Sequence, residues 1–295
     1  MRLPDYPPQD EEKYRQLKRK LFCETNETCY KISVAKEILL RNFRDLFSRE
    51  KIARARSDAE LPVIVKSHAS ILLRKLHGVD MQLQENKKTN IALASVKING
   101  IIIHPGETFS FWRMIGNPSE KRGYKVGLVI SRKGFLNGPG GGLCQLANMI
   151  HWLVLNSPLT VTELHHHSDA LFPDDRRRVP FGTGTSVAYN YVDYRFKNTT
   201  DQDVQILVWC EEGELCGELR CQKEFPLRYR LVEENHHFQK EEGKYYRISQ
   251  VYKIAIERAS GREVWKKLVL DNHSEVMYDY SLIPEDQIKD SLDGD

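Results

Sequence analysis

Cys144 is the residue of this sequence whose surroundings most favour chemistry. Four glycines and a proline precede it in the stretch NGPGGGLCQ, and the apolar run 143–155 that follows predicts a buried helix. A thiol in the first turn of a helix lies beside unpaired N–H groups and the positive end of the helix dipole. Both lower the pKa of a thiol, so we expect Cys144 to act as a nucleophile. The alternative is a small core thiol under a tightly packed turn.

The glycine-rich turn predicts a second part of an acyl-transfer site. Glycine permits positive φ and a close approach of the backbone, at an entropic cost that a plain connector does not need. N–H groups of this turn, together with the side chain of Gln145, are candidates to bind an oxyanion. The substrate-facing glycines are Gly140, Gly141 and Gly142.

Three consecutive histidines follow in the stretch ELHHHSD. If this stretch is a strand, His165 and His167 share one face and His166 points the other way. Imidazole titrates near neutral pH, so His165 or His167 is the expected base for Cys144. A metal site made by the same two histidines and Cys144 is the weakest hypothesis, because an H-x-H pair lacks a defined third ligand. We therefore expect neither a metal nor another cofactor.

An acidic residue is needed to orient the histidine. Asp193, in the stretch YNYVDYRF, lies on the next predicted strand and is the preferred candidate. Glu163 and Asp169 compete for the same role. His151 lies two helical turns beyond Cys144, too far for direct contact, and is expected to be a core residue.

The elements that must position these side chains change character twice along the chain. Helical spacing of apolar residues dominates the beginning, including LPVIVKSHASILLRKLH and TNIALASVKING, the second with Thr89 as its cap. Short β segments and turns follow from Ile101 onward. The expected domains are an N-terminal helical segment (1–85), an α+β core (86–222) and a C-terminal β extension (223–295).

The fold class is therefore α+β, with N-terminal helices, a central antiparallel sheet around the helix that carries Cys144, and a small C-terminal β appendage. The order of cysteine at a helix start, histidine on the next strand and acid on the strand after that is also the order in papain-like and transglutaminase-like folds. The stretch from Gly142 through Cys144 to Ala147 resembles the local pattern at a transglutaminase-type cysteine.

Bulk composition excludes several classes of function. The chain has 295 residues, with 44 basic and 41 acidic residues and a net charge of +3, which gives no global signal for nucleic acid. We find neither a secretory peptide nor an integral membrane span, so the chain is interpreted as cytoplasmic, with cell-envelope association left open. The six cysteines are expected to be free thiols. The basic run 176–178 is interpreted as a solvated loop.

Several of these stretches together resemble the VanW family, the accessory proteins found with vancomycin-type glycopeptide resistance. The matching stretches are TNIALASVKING, HPGETFSFW, KRGYKVGLVI, GPGGGLCQ, ELHHHSD and TSVAYNYVDYRFKNTTDQDVQI, in family order. The resemblance implies L,D-transpeptidase-like chemistry through the cysteine of the GGGxCQ motif, which is Cys144. Leu164 and Gly184 depart from the basic and acidic residues that many members carry at these positions.

Two hypotheses of different class follow. In the first, Cys144 attacks a carbonyl of a peptidoglycan peptide or a cell-wall precursor, with His165 or His167 as base and Asp193 behind it. In the second, the chain is a non-enzymatic accessory module whose glycine turn cradles a peptide or its carboxylate. The sequence assigns no oligomeric state.

Overall fold

A computed structural model describes most of the chain. The described residues are 21–73, 80–131, 134–166, 169–170, 173, 179–180 and 182–289, with the backbone alone for 130, 131 and 134–136. The basic run 176–178 lies outside them. The chain forms two compact units, Met1–Ser48 and Arg49–Asp295, which are described separately.

The first unit contains two described helices, α1 (Phe22–Thr25) and α2 (Glu27–Phe47). The side chain of Asn26 accepts a hydrogen bond from the N–H of Cys29 at 2.8 Å and so caps α2. Helical spacing of apolar residues predicts this helix, and the structure confirms it over its second half. Residues 1–20 of the predicted N-terminal helical segment lie outside the described residues.

The second unit is a mixture of short helices and several sheets. Its α-helices are α3 (Met81–Ile98), α4 (Phe111–Ile115) and α5 (Leu143–Leu155). Its first strands are β1 (Val63–Ile71), β2 (Ile101–Ile103), β3 (Thr108–Ser110), β4 (Val126–Ser131), β5 (Gly134–Pro139), β6 (Thr160–Glu163) and β7 (Asp169–Ala170). The later strands are β8 (Arg195–Lys197), β9 (Val204–Glu211), β10 (Glu214–Cys221), β11 (Leu227–Glu241), β12 (Lys244–Glu257), β13 (Glu263–Val276) and β14 (Ile288–Lys289).

Four sheets organise these strands. An antiparallel sheet has the order β1-β10-β9-β2, a smaller one the order β3-β8-β6, and β4 pairs with β5. The fourth sheet has the order β14-β11-β12-β13-β7, in which β7 and β14 run parallel to their neighbours. The α+β class is therefore confirmed. The C-terminal sheet is larger than the small appendage predicted, with strands of 14 and 15 residues, and it takes in Asp169–Ala170 from the predicted core.

The main core forms around α5, which packs on β1, β10 and α3. Leu146, Ala147, Ile150, Leu153 and Val154 of this helix are inaccessible to solvent. Burial on several faces explains why the sequence of α5 is apolar almost all round. Gly217 of β10 admits the helix, because an added Cβ there would lie 3.0 Å from Met149 Cγ.

The structure corrects two helix predictions. Residues predicted as helix in LPVIVKSHASILL form β1, which pairs with β10, since β-branched Val63, Ile64 and Val65 fit a pleated surface. Helix α3 begins at Met81, capped by Asp80, and not at Thr89. Its predicted buried face is confirmed, and the chain reverses after it at Gly100, where φ is +79°. The division at 85 and 222 stays a prediction.

No helix within the described ranges is long and apolar enough to cross a membrane. The six cysteines are free thiols, as predicted.

Candidate functional site

Cys144 is the second residue of α5, directly after the glycine turn. Gly142 caps the helix with φ of +92°, and the thiol donates a long hydrogen bond to the carbonyl oxygen of Val187 at 3.8 Å. The residue as a whole is partly exposed, yet burial of the sulfur raises the pKa of the Cys144 thiol. Backbone hydrogen bonds at Val187 and at Cys144 itself act against this shift. The direction is opposite to the one predicted from the helix N-terminus, because desolvation outweighs the backbone hydrogen bonds.

The glycine turn is a close contact between backbones. A Cβ on Gly141 would lie 2.1 Å from the carbonyl carbon of Gly127 in β4, and one on Gly142 would lie 2.1 Å from Lys87 Cγ in α3. The side chain of Asn90 also holds the turn, since its Nδ2 donates to the carbonyl oxygen of Gly141 at 3.0 Å. The predicted loop is shorter than expected, because Gly138 and Pro139 belong to β5.

The segment Thr185–Val187 connects α5 to His165. The N–H of Thr185 donates to Asn148 Oδ1 at 2.7 Å, and Asn148 lies one helical turn after Cys144. The N–H of Ser186 donates to the carbonyl oxygen of His165 at 2.6 Å, and the next residue, Val187, accepts from the Cys144 thiol. Three consecutive residues thus contact both the helix and the histidine. Sequence reasoning missed Asn90 and Asn148, because single asparagines carry no distinctive spacing.

Glu163 is the acid that contacts His165. His165 Nε2 lies 3.0 Å from Glu163 Oε1. The same oxygen accepts from the N–H of Asp193 at 3.2 Å, and Glu163 Oε2 lies 3.6 Å from Arg195 Nε. The side chain of His165 is 39% exposed, whereas that of Glu163 is 16% exposed. The imidazole is therefore accessible to solvent, while the carboxylate is held by Asp193 and Arg195. Glu163 was one of the two competitors that the sequence offered.

Asp193 is a buried anchor. Its side chain is 0% exposed, and Oδ2 accepts from Ser110 Oγ at 2.5 Å and from Arg195 Nε at 2.7 Å. Its Oδ1 accepts from the backbone N–H groups of Trp112 at 3.1 Å and Tyr194 at 2.9 Å. Burial raises the pKa of Asp193, and the hydrogen bonds from Ser110 and Arg195 oppose this. The contacts recorded for its carboxylate in the described structure include no histidine ring.

The strands predicted to carry these residues are shorter than expected. Strand β6 ends at Glu163, so His165 lies after it in an irregular segment. Strand β8 starts at Arg195, two residues after Asp193, and Asn190 forms a turn with φ of +63°. Neither stretch is therefore the continuous strand predicted, because the chain is irregular after Glu163 and turns at residues 189–191.

Gln145 is held by the neighbouring sheet. Its Nε2 donates to Ser70 Oγ at 3.1 Å and to the carbonyl oxygen of Ile71 at 2.9 Å. These bonds use both hydrogens of the amide. Its predicted part in oxyanion binding would require exchange of these bonds, and it stays a prediction.

The remaining histidines differ in environment. His167 lies outside the described residues, and His166 Nδ1 lies 3.3 Å from the carbonyl oxygen of Gly182. His151 is buried, with Nδ1 3.1 Å from the hydroxyl of Tyr194, as expected for a core residue. Desolvation lowers the pKa of His151 to about 3. In the described part of the chain, no three His, Cys, Asp or Glu side chains form a cluster suited to a metal ion.

Comparisons with known proteins identify relatives of this chain. Residues 86–220 match the family described as VanW like protein. The chain is 28% identical over 226 residues to the Vancomycin B-type resistance protein VanW of Enterococcus faecalis, which covers 77% of this chain and 82% of that protein. It is also 28% identical over 122 residues to the Uncharacterized protein YoaR of Bacillus subtilis, covering 41% of this chain and 39% of YoaR.

No solved structure matches the chain at a significant level. The family match spans every described residue of the site from Asn90 to Arg195. Together with the similarity to VanW over most of the chain, it identifies residues 86–220 as a VanW-like domain.

Proposed function

We propose that this protein uses Cys144 for acyl transfer, or for amide hydrolysis, on peptidoglycan peptides. Similarity to a relative named as a vancomycin B-type resistance protein supports a link between this protein and glycopeptide resistance. The substrate class is either an assembled cell-wall peptide or a cell-wall precursor. A papain- or transglutaminase-like order of cysteine, histidine and acid belongs to the same proposal.

The observation that carries the proposal is the segment Thr185–Val187. It contacts the Cys144 thiol at one end and the backbone of His165 through the adjacent residue, Ser186. Consecutive Cα atoms are about 3.8 Å apart, so the short separation between Ser186 and Val187 supports the proposal that His165 lies near Cys144. Glu163 contacts the ring of His165, and Glu163 is itself contacted by the backbone N–H of Asp193 and by the guanidinium of Arg195.

The roles follow from this arrangement. His165 removes the proton of Cys144 as the sulfur attacks the peptide carbonyl, and a C–S bond replaces the C–N bond. The histidine then returns the proton to the leaving amine. A second amine or a water molecule attacks the thioester, loses its proton to His165 and releases Cys144 as thiol. In this proposal Glu163 orients the imidazole, the role that the sequence predicts for Asp193. The hydrogen bonds of Asp193 to Ser110 and Arg195 suit a structural role instead.

The raised thiol pKa determines when the nucleophile forms. A buried thiol with a raised pKa stays protonated at neutral pH, so the proton must leave as the carbonyl is attacked. Backbone N–H groups of Gly142 and Cys144, at the start of α5, are the proposed oxyanion donors. The helix N-terminus supports the negative charge there.

A covalent adduct tests the proposal directly. The full chain is incubated with muropeptides and, in a separate arm, with precursor pentapeptides, and intact mass is measured after an acid quench. We expect an acyl adduct that peptide mapping locates on Cys144. Cys144→Ala should abolish the adduct, while Cys210→Ala should retain it.

Two adjacent histidines give a matched pair of variants. Because a general base contributes about 10²–10⁴-fold to rate, His165→Asn should slow adduct formation by that order, while His166→Asn should leave it unchanged. Glu163→Gln should slow it less. An adduct that persists in Cys144→Ala, or equal rates for the two histidine variants, would contradict the assigned roles.

Non-enzymatic binding of a peptide is the second candidate, and the raised pKa of Cys144 and the occupied amide of Gln145 favour it. In that case the peptides bind without an adduct, and Cys144→Ala binds them with the affinity of the wild type. Equilibrium binding of the same peptides, measured beside the mass spectra, distinguishes the two functions.

A further inference from the structure

A cavity lies against the C-terminal sheet, and none of the described residues of the candidate cysteine site lines it. Its volume is about 510 Å³, which is within the range of small-molecule sites. Charged and polar groups from β11 and β12 form one side, and apolar groups from the segments after β7 and β13 form the other. The lining residues used below are Glu233, His236, Phe238, Arg247, Tyr278 and Leu282.

An irregularity in β11 brings two polar side chains to the cavity. Between Glu234 and His237 the pairing with β12 shifts by one residue, and Asn235 adopts φ of +53°. In a regular strand, positions 233 and 236 would face opposite sides of the sheet. The extra residue of the bulge places Glu233 and His236 on the same lining.

Two opposite charges lie side by side in this lining. The side chain of Arg247 is 3% exposed, and its Nη2 lies 3.8 Å from Glu233 Oε1. The guanidinium also lies 5.9 Å from the centre of the Phe238 ring. Glu233 Oε1 is buried, and within the described structure it has no hydrogen-bond partner. A buried carboxylate oxygen without a donor is costly, so it favours a ligand that brings one.

From this lining we propose that the cavity binds a free α-amino acid. A carboxylate and an ammonium group on one carbon are adjacent opposite charges, and they match the adjacent guanidinium of Arg247 and carboxylate of Glu233. The planar guanidinium pairs with the ligand carboxylate, and the ammonium donates to Glu233 Oε1. Phe238, Tyr278 and Leu282 offer an apolar wall to the ligand side chain.

Other ligand classes fit this lining less well. A simple anion would lie beside the carboxylate of Glu233 without a group to pair with it. A divalent cation would face the buried guanidinium of Arg247, and it requires more oxygen ligands than the described residues of this lining supply. The amino acid is the smallest ligand that answers both charges.

Calorimetric titration of the full chain tests the proposal. The probes are leucine and phenylalanine, each as L- and D-enantiomer, with N-acetyl-leucine and leucine amide as analogues that lack one charge each. We expect at least one of the four free amino acids to bind with a Kd of about 1 mM or tighter, within what a ligand of this size can reach. Each analogue should bind at least about tenfold more weakly, because a charge-assisted hydrogen bond is lost.

Adjacent glutamates supply the matched control. Glu233→Gln should weaken binding about tenfold or more. Glu234→Gln should not weaken binding, because Glu234 pairs with Lys266 at 2.6 Å. Glu234 lies opposite Gln250 in β12, whereas Glu233 lies opposite the buried Val251, so the two glutamates face opposite sides of the sheet. Leu282 is 56% exposed, so Leu282→Trp should fold normally and block the cavity. Failure of all four amino acids to bind, equal binding of N-acetyl-leucine, or equal loss in the two glutamate variants would overturn the proposal.

Discussion

Asp193 and Glu233 are both carboxylates beside a buried arginine, but their surroundings differ. Asp193 accepts four hydrogen bonds from groups within the chain, including the 2.7 Å bond from Arg195. Glu233 lies 3.8 Å from Arg247, and one of its oxygens is buried without a donor in the described structure. The first carboxylate is satisfied by the fold alone, while the second borders a cavity.

This difference separates supporting groups from groups available to a ligand. A carboxylate whose lone pairs are all used cannot take on a substrate or a mobile histidine without breaking the fold. For that reason Asp193 supports the candidate cysteine site, and Glu163, which contacts the partly exposed His165, is assigned the active part. Glu233 has the complementary property, because its buried Oε1 has no donor within the described structure.

Removing the charge of each carboxylate should produce the largest contrast. Asp193→Asn leaves Arg195 buried beside an amide and should lower the free energy of unfolding by about 3–5 kcal/mol. Glu233→Gln should lower it by less than about 1 kcal/mol, because the carboxylate contributes no short hydrogen bond to Arg247. Urea unfolding followed by circular dichroism at neutral pH measures both.

Equal losses in these two variants would remove the distinction. Ser110→Ala provides an intermediate case, since it deletes one of the donors to Asp193 and keeps the charge pair. We expect its loss to fall between the other two.

The same comparison applies to space as well as to charge. The glycine turn before Cys144 has no room for a side chain at Gly141, since a Cβ there would lie 2.1 Å from a backbone atom of Gly127. Gly141→Ala should therefore cost about 1–3 kcal/mol, the usual range for overpacking, or more because backbone must move. Gly138→Ala is the control, because its added Cβ meets nothing nearer than 3.4 Å. Thermal unfolding of both variants measures the difference, and similar melting temperatures would contradict it.

Periodicity and turn chemistry predicted much of this fold. The apolar run of α5, the turn at Asn99–Gly100 and the hairpin of β9 and β10 all follow from residues close together in the sequence. The strand at 63–71 was not predicted, because its apolar spacing fits a helix and an edge strand equally well. Pairing with β10 decides between the two.

The sequence predicted which residues belong to the candidate site better than it predicted which of them contact one another. Cys144 and the histidines stand out by type, and Glu163 was named as a competing acid. The choice of Glu163 over Asp193 depends on where β6 ends and on the distant donors Ser110 and Trp112, which no local pattern contains. The bulge at Asn235 was equally hidden, because a single residue with positive φ moves His236 to the face of Glu233.

The smallest expected effect concerns His151, which, like Asp193, is a buried polar group with its partner inside the fold. Its pKa is lowered to about 3 by burial, so the folded state keeps it neutral. The unfolded chain binds a proton there near pH about 6.5, and stability is therefore lost as pH falls from that value toward the folded pKa. This residue alone contributes a slope of about 1.4 kcal/mol per pH unit in that window.

The variant His151→Gln should flatten the acid limb of the stability profile by about this slope, measured by urea unfolding between neutral pH and about pH 4. His104 gives the opposite sign, because a hydrogen bond to Asp203 raises its pKa. Its contribution is present below the unfolded pKa and is lost as pH rises through the folded pKa, so His104→Gln should leave the acid loss due to His151 in place. If His151→Gln retained the full acid slope, the proton taken up on unfolding would belong to another group. His151 would then not be the neutral, internally satisfied residue that the comparison requires.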